Sequence, residues 1–193
     1  VLLFGVALGV HPGEDGRWLD RRFWQIVGNT LLFVLLTVPS VTALSLLFAL
    51  ALNRRGNLAA ILRTAFFLSQ VLSVTVVTLI WQLMYSPRQG ILANVLTAVG
   101  LEPIEWVTNP QLAMYAIVIA TVWWSIGFAM ILFLAGLQEI PSELFEAARI
   151  DGASGWSITR NITLPALSRT TTLVVVLQII LHFQVFGQSH LIT

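Results

Sequence analysis

Inside the most apolar stretches of this chain stand a few neutral hydrogen-bonding side chains: Gln70, Gln82, Ser125, Gln178, His182 and Gln184. Aromatic rings accompany them at Trp81, Trp123, Trp124, Phe128 and Phe183. Amides and hydroxyls pair with the hydroxyls of a polyhydroxylated ligand, and flat rings cover sugar C–H faces, so the set suits a neutral, sugar-like solute. Gln178 and His182 stand at i, i+4 spacing, and Val185 and Phe186 continue their face one turn later. That face should turn into a helical bundle, because a glutamine and a histidine are costly toward lipid. A plainer role fits the same residues. His182 can be a hydrogen-bonded packing residue, Gln178 and Gln184 can join neighbouring helices, and Trp123 and Trp124 can contact a partner helix. A metal role lacks a ligand set, since His190 is the nearest second candidate and does not stand at ligand spacing from His182.

Composition decides the setting of these groups. The chain has 193 residues, 57% hydrophobic and only 10% charged, with a mean hydropathy of +0.87. A soluble domain carries about a quarter charged residues, so this is a polytopic membrane protein. The net charge of +1 and the lack of a basic cluster give no surface for a polyanion. Cysteine is absent, which excludes disulfides, thiolate metal sites and cysteine nucleophiles. Lysine is absent too, so the chain holds no P-loop lysine and forms no lysine Schiff base. If ATP drives this protein, another polypeptide binds the ATP. No nucleophile–base pair that would make a membrane-embedded enzyme stands out.

Four stretches have the length and apolar character of spanning helices: Leu31–Leu52, Thr64–Tyr85, Leu112–Leu137 and Thr170–Phe186. None contains Asp, Glu, Lys or Arg, which weighs against a secondary carrier coupled to protons or sodium. Val1–Val10 reads as the tail of an earlier span, with Gly5 and Gly9 at helix-packing spacing, and Pro39 is expected to kink the span that holds it. The chain reads as a fragment whose first and last spans are incomplete. Arg54, Arg55 and Arg63 without acids put the loop after the first full span in the cytoplasm. Alternation then places Ser86–Gln111 outside, where residues 90–106 read as one short interfacial helix ending near Trp106. The polar segment His11–Thr30 also falls outside, with Trp18, Phe23 and Trp24 as interfacial anchors.

Between the third and fourth spans lies a charged, turn-forming island, EAARIDGASGWSITRNITLPAL, preceded by AGLQEIPSELF. Pro141 suits a first helical turn, and Glu143 and Glu146 sit near that helix's positive end. Leu144, Ala147, Ala148 and Asp151 share one face. Gly152 can stop the helix in the left-handed conformation and Ser154 can cap the next. Leu164-Pro165 is expected to open the following span. Arg149, Arg160 and Arg169 return the island to the cytoplasmic side.

Glu146-Ala147-Ala148, Asp151-Gly152-Ala153 and Ile162-Thr163-Leu164-Pro165 together resemble the coupling loop of ATP-binding-cassette importer permeases, and AGLQEIPSELF resembles the sugar-importing branch. The resemblance implies an all-α polytopic transmembrane bundle of the type I importer permease kind, one permease domain over residues 1–193 with a cytoplasmic coupling loop at 141–165. It implies that Glu146, Ala147, Ala148, Asp151, Gly152, Ala153, Leu164 and Pro165 couple the chain to ATPase subunits. By the same resemblance, Trp124, Ser125, Phe128, Gln178 and His182 are substrate-path candidates, with histidine at 182 where the maltose-type subfamily has asparagine; Gln184 joins them as a neutral hydrogen-bonding group of the last span. The implied partners are a second homologous permease, two ATPase subunits that carry ATP and magnesium, and an extracytoplasmic solute-binding protein. No cofactor is implied on this chain, and the implied location is the bacterial inner membrane. Thr159 departs from the bulky residue common in relatives, and the family's Gly-Gly-Gly-Pro segment and final span are absent from the sequence. An importer of the same architecture for a polyol phosphate, amino acid or peptide is the alternative.

Overall fold

The computed structural model describes residues 21–54, 56–87 and 89–184. Helix α1 (Arg21–Leu52) runs unbroken through Pro39. It is followed by α2 (Asn57–Val71), α3 (Val74–Tyr85), α4 (Ile91–Ala98) and the long α5 (Pro110–Gln138). The chain then forms α6 (Ser142–Ile150), α7 (Gly155–Ile158), a π-helical turn at Thr159–Thr163, α8 (Leu164–Ala166) and α9 (Ser168–His182). No strand occurs among the described residues.

Helix α5 is the centre of the bundle. Its spanning window is 56% buried, against 28% for α1, and α1, α2, α3 and α9 all pack on it. Val122, Ile126, Met130, Phe133 and Leu137 of α5 join Phe33, Val41 and Ala49 of α1 and Val174 of α9 in the main core. A second cluster gathers Val77, Trp81 and Tyr85 of α3 around Ala116 and Ala120. Two glycines permit the close crossings. A Cβ on Gly127 would sit 2.0 Å from the Phe66 carbonyl oxygen of α2, and one on Gly136 would sit 2.5 Å from Thr170 Oγ1 of α9.

Two of the four expected spans, within α1 and α5, are single helices long and apolar enough to cross a membrane. Of the other two, one is bent and one follows a bend. Thr64–Tyr85 is not one straight helix: α2 and α3 meet at 105°. Leu72 and Ser73 adopt extended backbone there, and the Ser73 hydroxyl accepts from Val76 N at 3.4 Å, capping α3. A serine that offers the backbone an alternative partner ends a helix inside an apolar run, where hydropathy shows nothing. The fourth expected span falls on α9 (Ser168–His182), which meets the preceding segment Gly155–Ala166 at 61°.

The outer helix is also shorter than expected. α4 stops at Ala98, because Gly100 takes φ +79° and closes a Schellman turn: Leu101 N–H donates to Leu96 O and Gly100 N–H to Thr97 O. Trp106 therefore lies off that helix, its ring 5.8 Å from Tyr85. Trp24 is 48% exposed on α1. Gly5, Gly9, Trp18, Val185, Phe186 and His190 lie outside the described residues.

Candidate functional site

The island folds as a helical hairpin projecting from the bundle. Pro141 occupies the N-cap position of α6, one residue outside the helix, with Glu143 in the first turn and Arg149 in the last. Both charges complement the helix dipole. Gly152, at φ +75°, ends α6 in a Schellman motif, with Ala153 N–H donating to Ala148 O (2.9 Å) and Gly152 N–H to Arg149 O (3.1 Å). The Ser154 hydroxyl accepts from Ser157 N at 3.2 Å and starts α7. No residue of α6 is buried. Leu144, Glu146, Ala147 and Asp151 are exposed and Ala148 and Ala153 half-buried. Ile150 is 86% and Trp156 70% exposed, which leaves an apolar edge in the hairpin without a cover.

Leu164-Pro165 opens the short α8 but not a new helical run, contrary to the sequence expectation that it opens the following span. The chain is already helical from Gly155, and Pro165 sits inside that run just after the π turn. A proline in a helix lacks its N–H and collides with the carbonyl four residues back, here that of Asn161. The wider π turn over Thr159–Thr163 accommodates this, with Leu164 N–H reaching Thr159 O. The bend into α9 follows at Leu167, which is buried. Leu164 and Pro165 thus shape the joint between hairpin and bundle.

A polar face lies within the bundle. Gln178 and His182 are 1% and 4% exposed, so their shared face does turn inward. His182 Nδ1 lies 2.6 Å from the Gln178 carbonyl oxygen and Nε2 lies 3.5 Å from Ser125 Oγ of α5. A carbonyl only accepts, so Nδ1 carries the proton, and the Ser125 hydroxyl then donates to Nε2. The His182 ring also lies 6.0 Å from Phe33 of α1. One turn from Phe33 is Thr37, fully buried, with no partner for its Oγ1; Gln178 Oε1 has none either. Ser40 and Thr42 of the same helix instead return their hydroxyls to Leu36 O and Val38 O. Buried oxygens without a partner are unusual in a packed core, which marks this inward face as a polar locus.

The structure brings Ser125, Gln178 and His182 together and leaves the other candidates apart. Trp124 packs with Trp123 against the cluster of α3, where Trp81 stands 5.8 Å from Trp123 and Tyr85 donates to Ala116 O at 2.8 Å. Phe128 is half-buried on α5, and Gln184 is exposed beyond the end of α9. Sequence reasoning missed Phe33, Thr37 and Ser45, whose hydroxyl reaches Ile126 O at 3.1 Å. With Val41 between them, these residues recur every fourth position along α1, which was the available signal.

A model of the family described as "Binding-protein-dependent transport system inner membrane component" matches residues 4–186. The chain belongs to this family. Among curated relatives it is 36% identical over 173 residues to the trehalose/maltose transport system permease of Thermococcus litoralis, covering 90% of the chain and 59% of that protein. It is 34% identical over 176 residues to the lactose transport system permease of Rhizobium radiobacter, with the same two coverages. A probable ABC transporter permease of Pyrococcus horikoshii is 37% identical over 154 residues, 79% of the chain and 53% of that protein. The chain thus spans little more than half the length of these relatives. In structure it is similar to a bacterial alginate ABC transporter solved with an alginate pentasaccharide-bound periplasmic protein, at a TM-score of 0.77 and 26% identity, covering 82% of the chain and 56% of the other. A second alginate importer structure matches the whole chain and 72% of its own at a TM-score of 0.83 and 23% identity, which shows the shared fold. The all-α membrane architecture read from the sequence is the one these relatives have.

Proposed function

We propose that the chain is the core of a permease subunit in an ATP-driven, binding-protein-dependent sugar importer, multi-pass in the plasma membrane. The observation that carries this is the exposed hairpin at 141–165. It offers small side chains, charge and an uncovered apolar edge at the end of two spanning helices, and its first helix, α6, buries no residue in the chain's own core. Such a surface suits a separate ATPase subunit, which would hold ATP and magnesium. Glu146, Ala147, Ala148, Asp151, Gly152 and Ala153 would form the docked face, and Leu164 and Pro165 the joint that carries its movement into α9. ATP is then a ligand with higher affinity for one global state, and the hairpin transmits that preference. Two ATPases, a second homologous permease and an extracytoplasmic binding protein complete the assembly.

The polar face of Ser125, Gln178 and His182 would meet the solute when α5 and α9 part from α1 during the cycle. Trp124, Phe128 and Gln184 would line the path further along. Support for a sugar comes from these neutral groups and from relatives named for trehalose, maltose and lactose. The test is uptake by the reconstituted transporter. Replacing Gly152 with valine should leave insertion and ATP hydrolysis intact while uptake stimulated by loaded binding protein falls at least tenfold. Unchanged coupling between hydrolysis and uptake would refute the docking role.

A further inference from the structure

At the end of the bundle that holds the arginine-rich turn, a groove of about 330 Å³ opens between α2 and α5. Its polar mouth is formed by Arg63 and Thr64, midway along α2, and by Gln138, the last residue of α5. Phe67, Ile131 and Leu134 line it one or two turns deeper. Phe67 and Ile131 are 40% and 37% exposed, so the apolar wall faces outward from the bundle. This is an amphipathic slot with a cation at the water-facing end.

Arg63 is held in place. Its Nε donates to Ala59 O at 3.1 Å and one Nη to Arg54 O at 3.3 Å. A guanidinium has five N–H donors, so three remain for an anion. Arg63 is the one charged side chain among the residues that line the groove. Residues 53–71 contain no acid, and α2 follows its N-cap Gly56 without a side-chain cap bond or an acidic first turn. On the facing helix the first acid, Glu139, comes after Gln138 and does not line the groove.

We propose that this groove seats one anionic phospholipid. Its phosphate pairs with Arg63, its headgroup hydroxyls and ester oxygens meet Thr64 and Gln138, and an acyl chain follows Phe67, Ile131 and Leu134. Arginine and an apolar wall at the membrane–water boundary supply the two halves of that chemistry. The site rests on the orientation proposed above only for its leaflet, which the arginines make the cytoplasmic one; it is independent of the cargo.

The experiment uses the full-length transporter in vesicles, with a fluorophore on Leu68→Cys, beside the groove and 59% exposed. Brominated phosphatidylglycerol and brominated phosphatidylcholine are the quenchers. The expected result is preferential quenching by the anionic lipid, a preference reduced about fivefold by Arg63→Gln and kept by Arg63→Lys. Equal quenching by both lipids would reduce the groove to ordinary annular contact and overturn the proposal. So would protection from both lipids together with photo-crosslinking of position 68 to another subunit. The wild-type comparison decides the matter even where Arg63→Gln fails to assemble, and sugar uptake is not needed for any readout.

Discussion

The crossing of α5 with its neighbours offers a sharp test of the packing, because two glycines fail for different reasons. Alanine at Gly136 would place Cβ 2.5 Å from Thr170 Oγ1, 3.0 Å from Leu167 Cδ2 and 3.1 Å from Thr170 Cγ2. Ordinary contact for such pairs is about 3.4 Å or more, so the worst overlap is close to 1 Å. Rotation of Thr170 relieves only one of its two γ atoms, since both already stand near. Overpacking of this kind costs about 1–3 kcal/mol. Thr170→Ala removes both offending γ atoms, so the double variant should recover most of that loss. Gly127→Ala differs: its Cβ would lie 2.0 Å from Phe66 O and 2.6 Å from Phe66 C, both backbone. No side-chain deletion can relieve it, so Phe66→Ala should not rescue Gly127→Ala. Thermal unfolding of the detergent-solubilised full-length protein reads both pairs, each kcal/mol moving the midpoint by roughly 2–4 °C. A neutral Gly136→Ala, or a double variant no better than the single, would refute this account of the α5–α9 contact.

Other substitutions probe the site and the second cluster. Gln178→Leu with His182→Leu should abolish uptake or change the accepted sugar while assembly persists on size-exclusion chromatography; normal kinetics would remove both from the path. Ser125→Ala deletes the donor to His182 Nε2 and should weaken uptake several-fold with little change in expression; an unchanged apparent affinity would make the contact incidental. Tyr85→Phe loses the bond to Ala116 O and should cost about 0.5–1.5 kcal/mol in the same unfolding assay.

Chain-local features were legible in the sequence to the extent that they are written in one helix at a time. The spans at Leu31–Leu52 and Leu112–Leu137 follow from length and hydropathy, and the stop at Gly152 and cap at Ser154 follow from backbone chemistry that few residues supply. The bend at Leu72–Ser73 was hidden because both its arms are apolar. Pro165 misled for a related reason: proline usually starts a helix, yet a π turn let this helix run through it. Residues that depend on a partner from another helix were the least visible. Trp124 and Ser125 are adjacent in sequence but serve different clusters, and Thr37 gained its place only through the packing of α1.

The central claim is that residues 141–165 are gripped by an ATPase on the cytoplasmic side, and a single cysteine at Ile150 tests it directly, since this sequence has none of its own. In intact cells that cysteine should resist impermeant maleimide and become labelled only after permeabilisation. A bifunctional reagent should then join it to a nucleotide-binding subunit, with a yield that changes on adding ATP. Labelling from outside, or crosslinking that never recovers such a subunit, would contradict the account.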